Sequence, residues 1–330
     1  MFAIRASVKD LLRIRAAGLF FLLALLGGCS SLRPTVATAN QSLRLDVPFV
    51  AQELAYCGPA ALSSALQYYG RPASLDALVK QVYIPGRQGS LTLEMTAASR
   101  RNALLPYPVS ASLDSLLKEL DAGHPVLVLQ NLGFNWWPQW HYALLVGYEQ
   151  GGEKLLLHSG EIPYYNISAA TFMRTWARSG HWGLVLTPVD QIPATASALT
   201  YLQTLEQMRE TRALSMPQLL SALTQAASFW PRSSSAQLAL ANHLLASGQH
   251  DKASEYFLNG IGLRPDNALA WNNLAYSLKA QGCEASARLA IDEALKLAPA
   301  DARIKASAED IGEAGSNRNA DCPRLPYAGL

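Results

Sequence analysis

A thiol, an amide and an imidazole occur at spacings that suit acyl transfer. Cys57 lies in the run Val47-Pro48-Phe49-Val50-Ala51-Gln52-Glu53-Leu54-Ala55-Tyr56-Cys57-Gly58-Pro59-Ala60, with Gln52 five residues ahead of the thiol and an apolar, helix-spaced segment behind it. A cysteine at a helix N-terminus meets about half a positive charge and unpaired N–H groups, which favour the thiolate, the nucleophilic form. The Gln52 side chain can donate an N–H to the oxyanion that develops on an attacked carbonyl. Downstream, Trp140-His141-Tyr142-Ala143-Leu144-Leu145-Val146-Gly147-Tyr148 places an imidazole at the head of an apolar, strand-like run that can hold it as the base. Thiol, imidazole and amide donor are the minimum set for covalent catalysis by cysteine. The bland alternative is a buried, inert thiol, the ordinary fate of a lone cysteine. It requires the flanking Gln, the Gly-Pro and the distant His to be coincidence. The lesser alternative for Gln52 is a loop residue facing solvent, and for His141 taken alone a core histidine.

The elements that must position these groups read as follows. Residues 57–69 are apolar at helical spacing and stop at Gly70, whose backbone tolerates the positive φ that ends a helix. Ser74 and Ser90 each precede a further helical run, and residues 113–122 form another helix closed by Gly123. Strands are expected at 125–130, 142–147, 154–158 and 183–187, rich in Val and Leu and bounded by Gly-containing turns. Helices followed by a sheet describe an α+β domain. Phe134, Trp136, Trp137 and Trp140 crowd the approach to His141, as a core-edge cluster or as a wall of the substrate cleft. His124 reads as a turn residue, His158 as a strand-end histidine, and His243 and His250 as surface residues.

The blocks Val-Pro-Phe-x-x-Gln-x-x-x-x-Cys-Gly-Pro-Ala, Gly-x-Pro-Val at residues 123–126 and His-Tyr-Ala-x-x-Val-Gly-Tyr at 141–148 resemble the bacterial double-glycine, or bacteriocin-processing-type, cysteine peptidase family. The resemblance covers roughly residues 45–190 and implies a papain-like fold. It maps Gln52 to the oxyanion donor, Cys57 to the nucleophile and His141 to the general base and acid. It also implies cleavage after a Gly-Gly pair in a leader peptide. The chain departs from the family where an Asp usually orients the histidine: the strand after His141 runs into His158-Ser159-Gly160, so the matching position is Ser159. A hydroxyl can accept the expected Nδ1–H bond but gives an imidazolium little charge stabilisation. Ser159, His158, Glu161 and Asn166 stay open as third member. The alternatives to a peptidase are a weakened scaffold that binds peptides or proteins, and a transamidase. Nothing in the sequence reads as a P-loop, which sets the chain apart from transporter-fused members.

Arg5, Lys9, Arg13 and Arg15 precede an apolar run over residues 16–26 and then Gly27-Gly28-Cys29-Ser30. That pattern reads as a signal peptide over residues 1–28, because the run falls short of the ~20 residues a spanning helix needs. Leu26-Gly27-Gly28-Cys29 resembles the lipobox of bacterial lipoproteins, in which Cys29 is acylated and becomes the first residue. Ser30 after it resembles lipoproteins sorted to the outer membrane and facing the periplasm. Residues 29–44 then serve as a lipidated tether. Of the other cysteines, Cys283 and Cys322 could pair in an oxidising compartment or remain thiols. No pair has zinc-ligand spacing, and neither metal nor cofactor is expected.

From about residue 232 the chain repeats itself. Gly248, Ala253, Phe257, Leu263 and Pro265 recur 34 residues later as Gly282, Ala287, Ile291, Leu297 and Pro299. A period of 34 with a closing Pro is the tetratricopeptide pattern, whose arrays bind protein partners. Residues 45–190 are thus read as the papain-like domain and 191–231 as a helical linker or degenerate repeat. Residues 232–315 are read as repeats with a capping helix, and 316–330 as a tail. The net charge of +2 and the 16% charged residues, with no long basic run, give no basis for a nucleic-acid surface.

Overall fold

The computed structural model describes residues 38, 40–51, 55–71, 73–313, 315–316, 318 and 321–325. The expected lipidation site Cys29, the leader, most of the tether and Gln52 lie outside them.

The first half of the chain is built on an antiparallel sheet. Its strands are β1 (Leu43–Arg44), β4 (Leu104–Pro108), β5 (Val126–Asn131), β6 (Trp140–Glu149), β7 (Lys154–Ser159), β8 (Ile162–Ser168) and β9 (Gly183–Pro188), in the order β4-β9-β5-β6-β7-β8, with β1 paired to the far end of β6. A two-stranded ribbon of β2 (Tyr83–Ile84) and β3 (Gly89–Ser90) stands apart. Helices α1 (Cys57–Tyr68), α2 (Leu75–Val82), α3 (Thr92–Arg101), α4 (Leu113–Asp121) and α5 (Ala169–Ala177) complete this part. Strands β5, β6 and β9 are almost wholly buried, which explains their continuous apolar runs.

The order is less segregated than helices first and sheet afterwards. β4 falls between α3 and α4 and pairs with β9, joining chain segments about eighty residues apart. Strand β8 and helix α5 were not legible in the sequence. β8 is mostly exposed and carries little apolar alternation, and α5 begins at a cap in which the Ser168 hydroxyl accepts from the Thr171 N–H. Ser74 caps α2 as expected, but Ser90 belongs to β3, and α3 starts only at Thr92.

α1 is the helix that matters for the chemistry. Every residue from Gly58 to Leu66 is buried, so the helix is driven into the interior on all sides. A Cβ at Gly58 would come within 2.9 Å of Ser90 Oγ and 3.0 Å of Met95 Sδ, so any larger residue would have to displace those side chains of β3 and α3.

The second half is all helical: α6 (Ala198–Glu210), α7 (Met216–Phe229), α8 (Ser234–Ala246), α9 (His250–Leu263), α10 (Ala268–Ala280), α11 (Glu284–Leu297) and α12 (Ala302–Ile311). The α8–α9 pair and the α10–α11 pair have the same bounds displaced by 34 residues. Ala253 and Ala287, fully buried, sit at equivalent helix contacts. Trp271 is core, its indole N–H donating to the Pro265 carbonyl at 2.9 Å. Cys283 and Cys322 form a disulfide that holds the C-terminal segment against the start of α11. His243 and His250 are half-buried rather than on the surface.

A buried carboxylate joins the two halves. Glu119 of α4, fully buried, accepts from the Thr195 N–H at 2.7 Å, the Thr195 hydroxyl at 2.5 Å and the Ala194 N–H at 3.1 Å. Its other partner is His124 Nδ1 at 2.8 Å, so His124 is a buried anchor and not merely a turn residue. Burial opposes the charge of Glu119, but the hydrogen bonds from His124 and Thr195 outweigh it and hold the carboxyl below the usual range. Because the folded value is depressed, this stability is fully present above the ordinary carboxylate range, roughly pH 4.3, and is lost as pH falls through the lower folded value. Glu119→Ala leaves these donors unsatisfied and is expected to cost about 3 kcal/mol. Urea unfolding at pH 7 and at pH 3 checks this: the gap between wild type and variant should narrow on acidification.

Candidate active site

β6 runs on past its neighbour. Pairing of β6 with β7 begins at Leu144↔His158, so from Trp140 to Ala143 that side of β6 has no β partner among the described residues. The N-terminus of α1 fills the opening. Cys57 is the first residue of α1, and its sulfur lies against the backbone N–H groups of Tyr142 and Gly58. Tyr142 is the neighbour of His141, the second residue of β6. Two chain segments more than eighty residues apart thus bring thiol and imidazole to one strand end.

His141 pairs in register with Gln130 of β5, and its Nε2 lies 2.8 Å from Ser159 Oγ. Ser159 closes β7 just before the turn at Gly160, whose φ of +65° suits a glycine. The orienting contact therefore goes through Nε2 and not through the expected Nδ1. When Nε2–H donates to Ser159, the Nδ1 lone pair is left to accept a proton. The other third-member candidates are placed elsewhere. His158 Nε2 donates to the Val47 carbonyl at 2.8 Å, and its Nδ1 accepts from the Tyr164 N–H. Asn166 donates to Glu149 at 2.8 Å, and Glu161 is exposed. Among the described residues no carboxylate hydrogen-bonds to the His141 ring, and no hydrogen bond joins that ring to Cys57. Catalytic hydrogen bonds often tighten only when substrate is bound.

The electrostatics depart from the helix-terminus expectation. Burial pushes the Cys57 thiol up, and the N–H groups of Tyr142, Gly58 and Cys57 only partly offset it. Burial likewise pulls His141 down. A helix terminus contributes about 0.3–1 kcal/mol, whereas full burial can shift a group by ~3–5 pKa units, so desolvation wins. Burial therefore favours the uncharged forms of both the Cys57 thiol and the His141 imidazole.

The depression beside the sulfur, lined by Phe49, Val50, Ala60, Ala61, Tyr142 and His158 among others, encloses about 10 Å³, the space of a single water. The larger cavities are in the helical half. One of about 860 Å³ is lined by Tyr276, Lys279, Glu284, Asp310 and Arg318, and one of about 520 Å³ by Leu202, Leu219, Leu223, Asn242 and His243. No group of three His, Cys, Asp or Glu could hold a metal among the described residues.

An antiparallel sheet with a cysteine-headed helix set against its histidine strand, followed by an all-helical region, defines a papain-like α+β domain with an all-α extension. Residues 44–183 match the model of the Peptidase_C39 like family. No curated protein matches the chain. Among solved structures, the chain is similar to a double glycine motif protease from an AMS/PCAT transporter, crystallised with its leader peptide: 21% identity, TM-score 0.34, covering 44% of this chain and 94% of that one. A C39-like peptidase from Bacillus anthracis shows 18% identity and a TM-score of 0.36 over 45% of this chain and 98% of its own. The peptidase domain of Streptococcus ComA, a bi-functional ABC transporter involved in quorum sensing, shows 20% identity and a TM-score of 0.35 over 42% and 97%.

Two outcomes are expected of the resting pair. Alkylation of Cys57 by iodoacetamide should accelerate with pH through a midpoint above the ordinary thiol range, and a midpoint near neutrality would show an ion pair instead. Ser159→Asp should raise the imidazole's affinity for a proton and speed alkylation at pH 7 about tenfold, whereas Ser159→Ala should not speed it.

Proposed function

We propose that this chain is a cysteine peptidase whose Cys57 and His141 hydrolyse peptide bonds. The observation that carries the reading is the seating of the Cys57 sulfur on the Tyr142 N–H, one residue from an imidazole whose far nitrogen is held by Ser159. As sulfur bonds to the carbonyl carbon, its proton passes to His141 Nδ1 and the carbonyl π electrons move to oxygen. The Cys57 N–H at the helix terminus, with Gln52, would hold that oxyanion. Collapse breaks the C–N bond, and the proton on Nδ1 goes to the departing amine. Water then attacks the thioester, giving a proton to Nδ1 as its oxygen bonds to carbon. The C–S bond breaks, and the proton returns to sulfur.

The shallow space beside the sulfur supports a scissile residue without a side chain, in keeping with cleavage after Gly-Gly in a leader-like substrate. The 34-residue helix pairs and the cavity of about 860 Å³ support a tetratricopeptide array that binds a protein partner. The Cys283–Cys322 disulfide supports an oxidising compartment, in keeping with a lipoprotein leader over residues 1–28 and acylation of Cys29. On this reading the protein is anchored by lipid in the outer membrane and faces the periplasm.

A second reading, a weakened scaffold that binds peptides, is favoured by one observation: a hydroxyl and not a carboxylate stands at His141 Nε2. Cleavage of a Gly-Gly-containing peptide library separates the two. The peptidase reading expects products from the wild type and none from Cys57→Ala, with a thioester trapped by an active-site probe only in the former. Equal turnover by both chains, or none by either, would remove it. Products carrying an added amine in place of water would indicate transamidation.

A further inference from the structure

The approach to His141 carries more exposed aromatic surface than a core edge requires. Phe134 is 64% exposed, Trp136 79%, Trp137 64% and Trp140 56%, with Leu132 beside them at 51%. The segment 131–140 contains no charged residue. Contiguous apolar surface of this kind marks an interaction site, and tryptophans dominate binding hot spots.

This loop is held rigidly although its side chains face solvent. The buried Asn131 uses Oδ1 to accept from the Gly133 N–H at 3.0 Å and the Gln139 N–H at 2.9 Å, and its Nδ2 reaches the Phe134 carbonyl at 3.4 Å. Arg178 of the segment after α5 donates to the carbonyls of Asn131 and Gly133. Phe134 and Trp137 exchange both backbone hydrogen bonds at 3.1 Å, and the Phe134 and Trp136 rings stack at 5.6 Å. A Cβ at Gly133 would lie 2.3 Å from the Trp137 carbonyl, so the glycine permits this closure. Aromatic groups fixed before binding lose little freedom when a partner covers them.

We propose that loop 132–140 docks the part of the substrate polypeptide C-terminal to the scissile bond and selects bulky apolar side chains there. The loop is continuous with the site through Trp140 and His141. The imidazole that hands a proton to the departing amine must stand on the leaving-group side of the sulfur. The surface running directly into that imidazole therefore flanks the departing segment. This rests on the peptidase reading given above for Cys57 and His141.

The test uses two twelve-residue peptides identical up to the scissile bond, one continuing Leu-Phe-Leu and the other Ser-Gly-Ser. Binding of labelled peptide to full-length Cys57→Ala is followed by anisotropy, and cleavage by the otherwise wild-type chain is measured in parallel. The apolar peptide should bind at least tenfold more tightly. Adding Trp136→Ala and Trp137→Ala should abolish that preference, while Trp136→Phe and Trp137→Phe should retain most of it. In the cleaving chain the alanine pair should raise KM for the apolar peptide about tenfold with kcat unchanged, bringing the kcat/KM ratio of the two peptides near one. Equal affinity for the two peptides, or a preference that survives the alanine pair, overturns the proposal. So does adsorption to phosphatidylethanolamine–phosphatidylglycerol vesicles that requires the tryptophans while peptide discrimination is absent. A chain that binds with the expected preference but cleaves neither peptide keeps the docking surface and removes the peptidase reading. Cleavage of both peptides at equal kcat/KM does the reverse.

Discussion

The site depends on a strand that outruns its partner. Where β7 stops pairing at Leu144, the exposed edge of β6 must be covered, since an unpaired strand edge presents unsatisfied backbone groups. The N-terminus of α1 covers it, bringing a row of N–H groups and the Cys57 sulfur with it. The docking is secured by the burial of α1 from Gly58 to Leu66, by the close packing at Gly58, and by the β2–β3 ribbon, whose Ser90 carbonyl accepts from the Tyr142 hydroxyl at 3.3 Å. Ser159 belongs to the same feature. It stands where β7 turns away from β6 into the β8 hairpin, within reach of the imidazole at the open edge.

Coverage of that edge also sets the chemistry. A helix terminus favours a thiolate, but the burial that makes the docking stable disfavours charge on both sulfur and imidazole. With Ser159 at Nε2, no carboxylate among the described residues hydrogen-bonds to the imidazole, and burial disfavours charge on it. In the proposed peptidase mechanism, proton transfer and carbon–sulfur bond formation then belong to one step, and the geometry at Nδ1 matters more than the acidity of the thiol.

The helical half is tied to this domain at a specific seam. Glu119 collects the donors of residues 194–195 just ahead of α6, while the Ser197 N–H donates to the Tyr107 hydroxyl at 3.0 Å and Arg100 of α3 donates to Gln207 at 2.5 Å. Tyr201 adds a buried hydrogen bond to the Val189 carbonyl at 3.2 Å. The first helix of the extension, α6, therefore packs against the α+β domain along β4, and the helix pairs with a period of 34 follow from it and α7. This answers how so short an array is stabilised: its inner end is covered by α6 and α7, and its outer end by α12 and the disulfide-bound segment.

What the sequence determined by itself was local or periodic. The helical spacing behind Cys57, the apolar runs of β5, β6, β7 and β9, the Ser74 cap and the 34-residue recurrence depend on neighbours a few residues apart or on a fixed repeat, so they survive without knowledge of the fold. Tertiary structure alone decided the contacts between distant segments: His141 meeting Ser159 through Nε2, the thiol's acidity being ruled by burial, His124 serving Glu119, and the tryptophans standing outward on a loop braced by Asn131 and Arg178. These depend on which surfaces become dry and which donors meet across the chain. Residue type and spacing carry no record of desolvation, and that is where the chemistry of this site was settled.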